Sequence, residues 1–487
     1  MIKLIQNNNK TIIENADLYV LNLLDSYLRY PSEIALAKEK GYSFGENNEL
    51  GDMVWDGWIR FLHITKTHSW VLTGLINYVI YILEYHKIIF EIEDNRVRPS
   101  DNLPEMVNIP LRAYQKEAAN KATLAGRGVL DMPPRSGKTR IACEIQRKLN
   151  RNTLWIAPTK GILKQTKEVL DYYFWDRYSY VFTGTPSKEL YKTKVLLCTP
   201  NTAYKLKEDF FRSRDCIIID EFHHSASSMY NQIFKMCDHI YYRFGMTGTF
   251  FRSGNDVMGL HAHLSNTIYK IDSKFLMDNG FIVPTYVCFI PIFDKLRVKQ
   301  GSFHTSHGKY GIAEHSQRNQ LIIYSIVSLH NTGRSVLVLI NTKKQGLLLL
   351  DLLKNYNIES EYVDGNTPSL AVKSALARFI KKDIRILIGT SVLGEGIDIP
   401  TADSLVYAVG QKAEVSLVQN AYRVGTAVEG KTHSILIDFS DRHHKRLLEH
   451  SLERARIYYK EPTFNVSVLD DINQLDNWVS NFHYKDY

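Results

Sequence analysis

Met132-Pro133-Pro134-Arg135-Ser136-Gly137-Lys138-Thr139 follows an apolar run and opens a helical pattern that continues to Leu149. Backbone N–H groups at such a helix start hold phosphate oxygens, Lys138 is placed to neutralise β- and γ-phosphates, and the Thr139 hydroxyl to ligate Mg²⁺. The strict spacing G-x-x-x-x-G-K-[ST] has glycine where Met132 stands, and a Gly-Lys-Thr tripeptide alone is a weak signal. Further along, Cys216-Ile217-Ile218-Ile219 runs into Asp220-Glu221-Phe222-His223. Four apolar residues ahead of two adjacent carboxylates read as a buried parallel strand whose carboxyl end meets the ligand crevice of an α/β sheet. There Asp220 is suited to hold Mg²⁺, and Glu221 to orient and deprotonate an attacking water. Alone, the run equally describes a strand ending in a solvated acidic turn. With the phosphate loop upstream, the two form the metal and phosphate apparatus of nucleotide hydrolysis.

Positioning these groups requires parallel strands alternating with helices, and that pattern runs from about residue 111 to 440. The first series of strand candidates is Gly128–Met132, Thr153–Ala157, Lys194–Cys198, Cys216–Asp220 and Tyr241–Met246; the second is Ser335–Ile340, Glu361–Val363, Ile384–Ile388, Ser404–Val409 and Ser434–Phe439. Between them, Pro291 to Gln317 has weak periodicity and reads as an exposed loop near a domain boundary. The apolar run from Trp70 to Leu83 reads as a buried helix. Asp441 to Lys460 reads as a basic amphipathic helix with Leu447, Leu448, Leu452, Ala455 and Tyr459 inward.

With 487 residues, 44% hydrophobic and 23% charged, the chain has room for two or three folded domains and is not a disordered polymer. The net charge is +8. Residues 1–104 carry 6 Lys and 4 Arg against 6 Asp and 8 Glu, a net of −4 that leaves +12 for the remainder. The excess suits an anionic partner of the α/β part, and it makes the first segment a source of shape rather than of bulk phosphate affinity. Five scattered cysteines (Cys143, Cys198, Cys216, Cys237, Cys288) form neither a disulfide framework nor a C-x-x-C clip, which points to a reducing compartment. The N-terminus lacks the pattern of a secretory signal, and no window approaches a membrane span. The expectation is a soluble cytoplasmic protein with no membrane partner.

Asp220-Glu221-Phe222-His223 resembles the DExH box of superfamily 2 helicases, and further stretches resemble that superfamily's motifs in order. Leu111-Arg112-Ala113-Tyr114-Gln115 is similar to the stretch whose glutamine reads adenine. Ala157-Pro158-Thr159-Lys160 and Thr199-Pro200-Asn201-Thr202 resemble motifs Ia and Ib, Thr247-Gly248-Thr249 motif III, and Val336 to Asn341 motif IV. Gly389-Thr390-Ser391-Val392-Leu393-Gly394-Glu395-Gly396-Ile397-Asp398-Ile399-Pro400 is a close match to motif V, and Gln419 to Thr426 is similar to motif VI. Each piece alone also fits an ordinary turn or helix cap; the ordered series is far more specific.

The resemblance implies two tandem RecA-like parallel-sheet α/β domains with a small mixed α/β N-terminal domain: 1–104 accessory and substrate-recognising, 105–288 ATP-binding, 289–460 the second helicase domain, and 461–487 a tail. It implies ATP and Mg²⁺ held by Gln115, Pro134, Arg135, Ser136, Gly137, Lys138, Thr139 and Asp220. Glu221 then activates water, with Gln419, Arg423, Gly394, Gly396 and Asp398 contributed by the second domain. Pro158, Thr159, Lys160, Thr199, Pro200, Asn201, Thr390 and Ser391 are implied to touch nucleic acid, and His223, Thr247, Gly248 and Thr249 to couple it to hydrolysis. Motif VI departs from the superfamily pattern, with Tyr422 in place of its glycine and Thr426 in place of its second arginine. Arg423 is then the expected finger, with Lys431 and Arg385 as alternatives.

Gly51-Asp52-Met53-Val54-Trp55-Asp56-Gly57-Trp58-Ile59-Arg60-Phe61-Leu62, followed by Leu72-Thr73-Gly74-Leu75, resembles the N-terminal region of UvsW-like phage helicases; Trp55, Trp58 and Phe61 read as core packing ahead of base stacking. That resemblance implies a monomeric DNA helicase acting on forks and four-way junctions in recombination and repair, in a host bacterial cytoplasm if phage-encoded. The alternatives are a restriction-type duplex translocase, an RNA helicase, or a nucleic-acid-binding protein with attenuated ATPase.

Overall fold

The computed structural model describes residues 1–32, 57–175, 178–185, 189–222, 228–248, 257–294, 309–393, 399–411 and 414–482. Two compact units divide the chain: Met1–Met132 with Gly137–Lys270, and Pro133–Ser136 with the residues from Ile271 onward.

The first unit opens with β1 (Ile2–Gln6) and β2 (Lys10–Glu14) as an antiparallel hairpin. Strands β3 (Arg29–Pro31) and β4 (Trp58–Arg60) form a separate ladder. Strands β5 (His63–Ile64), β6 (Ser69–Leu72) and β7 (Phe90–Asp94) complete a sheet of order β5-β6-β2-β1-β7, with β7 parallel to β1. Alternation along β1 buries Ile2 and Leu4, which pack with Val20 and Leu24 of the helix Leu18–Tyr27 and with Val79 and Leu83 of the helix Ile76–Tyr85. The run from Trp70 to Leu83 is therefore not one helix. Its start alternates buried and half-buried positions as β6, and the chain turns at Thr73–Leu75 before the helix begins.

The same unit continues into β8 (Arg127–Asp131), β9 (Thr153–Ile156), β10 (Ser179–Val181), β11 (Val195–Cys198), β12 (Cys216–Ile219), β13 (Tyr242–Thr247) and β14 (Thr267–Lys270). All pair in parallel, in the order β10-β11-β9-β12-β13-β8-β14. The core strands β8, β9, β11, β12 and β13 are buried at every residue, as the apolar runs of β9, β11 and β12 require, while β8 and β13 bury Arg127 and Arg243 as well. The accessory segment 1–104 is thus not a separate compact unit, because its sheet and helices share one unit with the first parallel sheet.

The second unit repeats the architecture with β15 (Thr285–Ile292), β16 (Val336–Leu339), β17 (Ser360–Val363), β18 (Ile386–Gly389), β19 (Ser404–Tyr407), β20 (Ser434–Asp441) and β21 (Phe464–Val468), in the order β17-β18-β16-β19-β20-β15-β21. Every pairing is again parallel. Two expected boundaries move. A cut between 288 and 289 falls inside β15, whose ladder with β20 runs unbroken from Thr285 to Ile292; the units meet at Lys270/Ile271 instead. The expected tail after residue 460 supplies β21, and the helix Leu475–Ser480 adds Leu475 and Val479 to the second core.

The helix Lys445–Lys460 forms, yet it turns Leu447, Ser451, Arg454 and Tyr458 inward while Leu452 and Tyr459 are exposed. A buried arginine displaces the expected apolar stripe because Asp438 on β20 neutralises it. Among the described residues no helix is long and apolar enough to cross a membrane, and all five cysteines are buried free thiols.

Candidate functional site

Strands β12, β13 and β8 are neighbours, so the acidic pair, Thr247-Gly248 and the phosphate loop leave the same end of three adjacent strands. Thr247 stands opposite Asp131, and its carbonyl accepts from the Met132 amide at 3.0 Å, tying the loop's entry to the motif III strand. Thr247 is fully buried.

Within the loop, Arg135 (φ 70°) and Gly137 (φ 78°) take the left-handed conformation, which curls successive N–H groups toward one concavity ahead of the helix Lys138–Leu149. Gly137 is also fixed by space, since a Cβ there would lie 2.3 Å from the Gln115 side-chain nitrogen. Gln115 is thereby placed against the phosphate loop; it is buried, and its Oε1 accepts from the Arg112 amide at 2.9 Å at the start of its own helix, Ala113–Ala125. Lys138 donates from Nζ to the Met132 carbonyl at 3.3 Å, so its ammonium folds back over the loop. Pro134, Lys138 and Thr139 are half-exposed, and Ser136 is buried.

At the end of β12, Asp220 is buried, and burial first, then the neighbouring Glu221 charge, pushes its carboxyl up to about 7 against the pull of Lys138. Its Oδ1 accepts from the Glu221 amide at 2.9 Å, and Glu221 sits at φ 47°, a left-handed conformation that costs a non-glycine residue energy. Two crowded carboxylates opposed by one lysine are short of positive charge, which is the electrostatic setting a divalent cation fits. Among the described residues no group of three or more His, Cys, Asp or Glu is placed to hold a metal ion.

The expected nucleic-acid contacts lie on helix starts at the same sheet end. Thr159 caps the helix Lys160–Tyr173 by accepting from the Ile162 amide, with Lys160 exposed and Pro158 half-exposed. Thr199 caps Pro200–Ala203 in a reciprocal box with Thr202, leaving Asn201 exposed. These starts follow β9 and β11, which are adjacent.

In the second unit, Arg423 is buried on the helix Glu414–Val424 and donates to the Leu393 carbonyl in the turn Ser391–Leu393, within the stretch that resembles motif V. Gln419 is half-buried on that helix, and Thr390 is half-exposed after β18. The finger alternatives are engaged elsewhere: Lys431 donates to the Ala402 carbonyl at 2.6 Å, and Arg385 to the Gly333 carbonyl. His223, Thr249, Gly394, Gly396, Asp398 and Trp55 lie outside the described residues.

The two motif VI departures have structural occupations that the sequence did not disclose. The Tyr422 hydroxyl meets Thr463 Oγ1 at 3.0 Å and its ring packs on Phe464, so an aromatic replaces glycine where β21 must be anchored. Thr426 forms an antiparallel bridge with Ile282, flanked by the Val283 amide donating to Gly425 and the Ala427 amide to Phe281.

Two family matches fall on these units: "Type III restriction enzyme, res subunit" over residues 108–252, and "Helicase conserved C-terminal domain" over 317–427. The chain belongs to the superfamily 2 helicases. Among relatives of this superfamily 2 chain, "Putative helicase 22" of a Sulfolobus islandicus filamentous virus is 23% identical over 373 residues, taking in 70% of this chain and 66% of that one. A "DNA 3'-5' translocase XPB2" of Sulfurisphaera tokodaii is 22% identical, over 69% of this chain and 82% of that one. The crystal structure of T4 UvsW aligns over 97% of this chain and 99% of its own, at 17% identity and a TM-score of 0.45. The superfamily 2 chain spans between 57% and 66% of the length of several curated relatives it matches.

Proposed function

We propose that the protein is an ATP-dependent DNA translocase and helicase that remodels branched DNA. The observation that carries this reading is the placement of the phosphate loop, Thr247-Gly248 and Asp220-Glu221 on three adjacent strand ends, with two capped helix starts alongside on the same edge. Lys138 and the backbone N–H groups of Arg135 to Thr139 hold the phosphates, with Pro134 shaping the loop ahead of them. Thr139 and Asp220 hold Mg²⁺, which when bound neutralises charge on the β- and γ-phosphate oxygens. Gln115 lies on the adenine side, and Glu221 orients the attacking water and takes its proton. Arg423, with Gln419, Gly394, Gly396 and Asp398, stabilises charge on the transferring phosphoryl group. Pro158 to Lys160, Thr199 to Asn201, and Thr390 with Ser391 grip the backbone of one strand, while His223 and Thr247 to Thr249 pass that contact to the acidic pair.

DNA rather than RNA is favoured by the archaeal relative named as a DNA translocase. The UvsW-like stretches Gly51 to Leu62 and Leu72 to Leu75 support branch migration during recombination and repair, by a monomer in a cytoplasm that is a bacterial host's if the chain is phage-encoded. The test is the ATPase rate of the full chain across single strands, duplex, forks, four-way junctions and RNA, with strand separation measured in parallel. Stimulation is expected to be strongest on forks and junctions. Preferential stimulation by RNA overturns the DNA assignment, and no stimulation by any nucleic acid overturns the motor.

A further inference from the structure

The N-terminal segment closes on the first parallel sheet through contacts too close and too buried for an independent accessory module. Asn8, in the turn of the β1–β2 hairpin, donates from its side chain to the His239 carbonyl at 2.6 Å, and its own carbonyl accepts from Arg127 at 2.8 Å. Arg127 begins β8, and burial holds its guanidinium well below the ordinary range, so the Asn8 carbonyl meets a donor that water does not reach. A second contact involves the turn Thr73–Leu75. A Cβ on Gly74 would lie 2.0 Å from the His261 carbonyl oxygen and 2.5 Å from that of Ala262, so backbone rests on backbone there. One turn later, the Tyr78 hydroxyl meets His261 Nδ1 at 2.8 Å, and Met258 packs into the accessory core.

His261, Ala262 and Met258 belong to the helix Val257–Leu264, which lies between the motif III strand β13 and β14. The helix's last residue leads back to the catalytic strands. Gly245, at the centre of β13, has Leu264 and Phe222 of the acidic box crowded over the same face; a Cβ there would meet Leu264 Cδ1 at 2.4 Å and Phe222 Cγ at 2.9 Å. With both side chains fully buried in one close-packed core, a shift of Phe222 presses on Leu264 and hence on the helix that the accessory segment grips.

We propose that Gly74 and Tyr78 are positioning residues for the hydrolytic site. In this arrangement the accessory segment is a permanent clamp on the helix Val257–Leu264 and moves with the ATP-binding unit as one body. This goes beyond the assignment of a DNA motor, since the clamp stands on packing within one unit and is read by distance whether or not the chain translocates.

All five native cysteines are buried, so nitroxide labels can be directed to Glu84→Cys and Lys121→Cys on exposed helix positions of the full chain. The label distance is expected to be a single narrow distribution, unchanged by ADP with beryllium fluoride. Gly74→Leu, which must force the two carbonyls away, is expected to broaden it. In unlabelled protein, Tyr78→Phe removes one hydroxyl and leaves the packing. It is expected to lower the kcat of ATP hydrolysis severalfold while KM for ATP changes less than twofold and the melting temperature holds. A distribution that is broad in the parent chain or shifts with nucleotide overturns the one-body clamp. A Gly74→Leu distribution as narrow as the parent's overturns the docking role of that turn, and unchanged kcat in Tyr78→Phe overturns the positioning role. An inactive parent chain with narrow distances instead counts against the motor assignment and leaves the clamp standing.

Discussion

Arg454 reaches from the middle of the helix Lys445–Lys460 to Asp438 on β20, donating from Nε and Nη2 to the carboxylate at 2.9 Å with both side chains fully buried. The Tyr458 hydroxyl donates to the same carboxylate, and the Phe439 carbonyl accepts from Nη2. Removing one partner of such a pair leaves an uncompensated charge in the core. Arg454→Ala is expected to cost about 3–5 kcal/mol in urea unfolding of the second unit, whereas Arg454→Met with Asp438→Leu costs much less. Equal losses in the single and double variants would show that packing, not charge, sets the value.

That pair also marks where the sequence stops being legible. The inward strands announced themselves by continuous apolar runs, and Cys216–Ile219 is buried throughout as its composition demands. The helix Lys445–Lys460 was recognisable by period, but its buried stripe passes through Arg454, which no hydropathy pattern places inside. Strand β15 was lost to the boundary loop because Pro291 and the segment after it read as a breaker. Its ladder with β21 ends at Phe289, so the proline lacks only a donor that this neighbour does not require. The edge strands β10, β14 and β21 are short and partly exposed, which erases the pattern that revealed the central ones. The site was legible at its strand ends, where loop chemistry is local. The roles of Tyr422, Asn8 and Gly74 depend on partners far along the chain.

Lys138 and Glu221 occupy different strand ends of the site and separate binding from chemistry. Lys138→Ala is expected to weaken nucleotide binding by tenfold or more and to abolish turnover. Glu221→Gln retains binding and loses turnover, because only the proton acceptor is gone. Nucleotide affinity by fluorescence alongside phosphate release checks both, and wild-type turnover in either variant removes that residue from the site.

Arg423 is held by the Leu393 carbonyl, and both alternative cations are engaged elsewhere in the second unit. Arg423→Ala is expected to lower turnover about 10²-fold or more with ATP affinity little changed. Thr426→Arg is expected to bring no gain, because the bridge to Ile282 fixes the backbone at that position. Phosphate release under saturating ATP and single-stranded DNA measures both; normal hydrolysis by Arg423→Ala places the finger elsewhere.

His261, His263 and His433 each weaken the fold toward acid. Burial pulls His261 down to about 4, His263 to about 3 and His433 to about 4, from an ordinary value near 6.5. His433 accepts from the Arg334 guanidinium at 2.5 Å, which requires a neutral ring. Each folded value lies below the unfolded one, so between about pH 6.5 and 4 the unfolded chain binds more protons and stability falls as pH falls. Above pH 7 these groups add no slope. Urea midpoints from pH 7.5 to 5 are expected to decline below 6.5, and His433→Gln is expected to make the decline shallower by one proton. A flat profile down to pH 5 would mean that these rings already carry their protons in the fold.

The clamp makes a further demand on the accessory segment itself. Arg127 and Arg243 are buried cations at the foot of the first parallel sheet, and the hairpin turn supplies acceptors to both: the Asn8 carbonyl to Arg127 and the Asn9 side chain to Arg243 at 3.4 Å. Arg243 keeps other carbonyls within its own domain, at Ile240 and Cys237, whereas Arg127 keeps the longer bond to the Tyr241 carbonyl at 3.4 Å, so the loss falls mainly on Arg127. Deleting residues 1–94 is therefore expected to destabilise the ATP-binding unit by about 3–5 kcal/mol rather than merely to change substrate preference. Arg127→Met distinguishes this from a general loss of packing. In the full chain the substitution is expected to cost about 1–3 kcal/mol, because it removes a buried charge but leaves the Asn8 carbonyl without that donor. In the truncated chain it restores part of the lost stability. Urea unfolding of the four proteins checks the sign, and a truncated chain that unfolds at the full chain's midpoint, or gains nothing from Arg127→Met, would mean that the sheet does not depend on the hairpin that covers it.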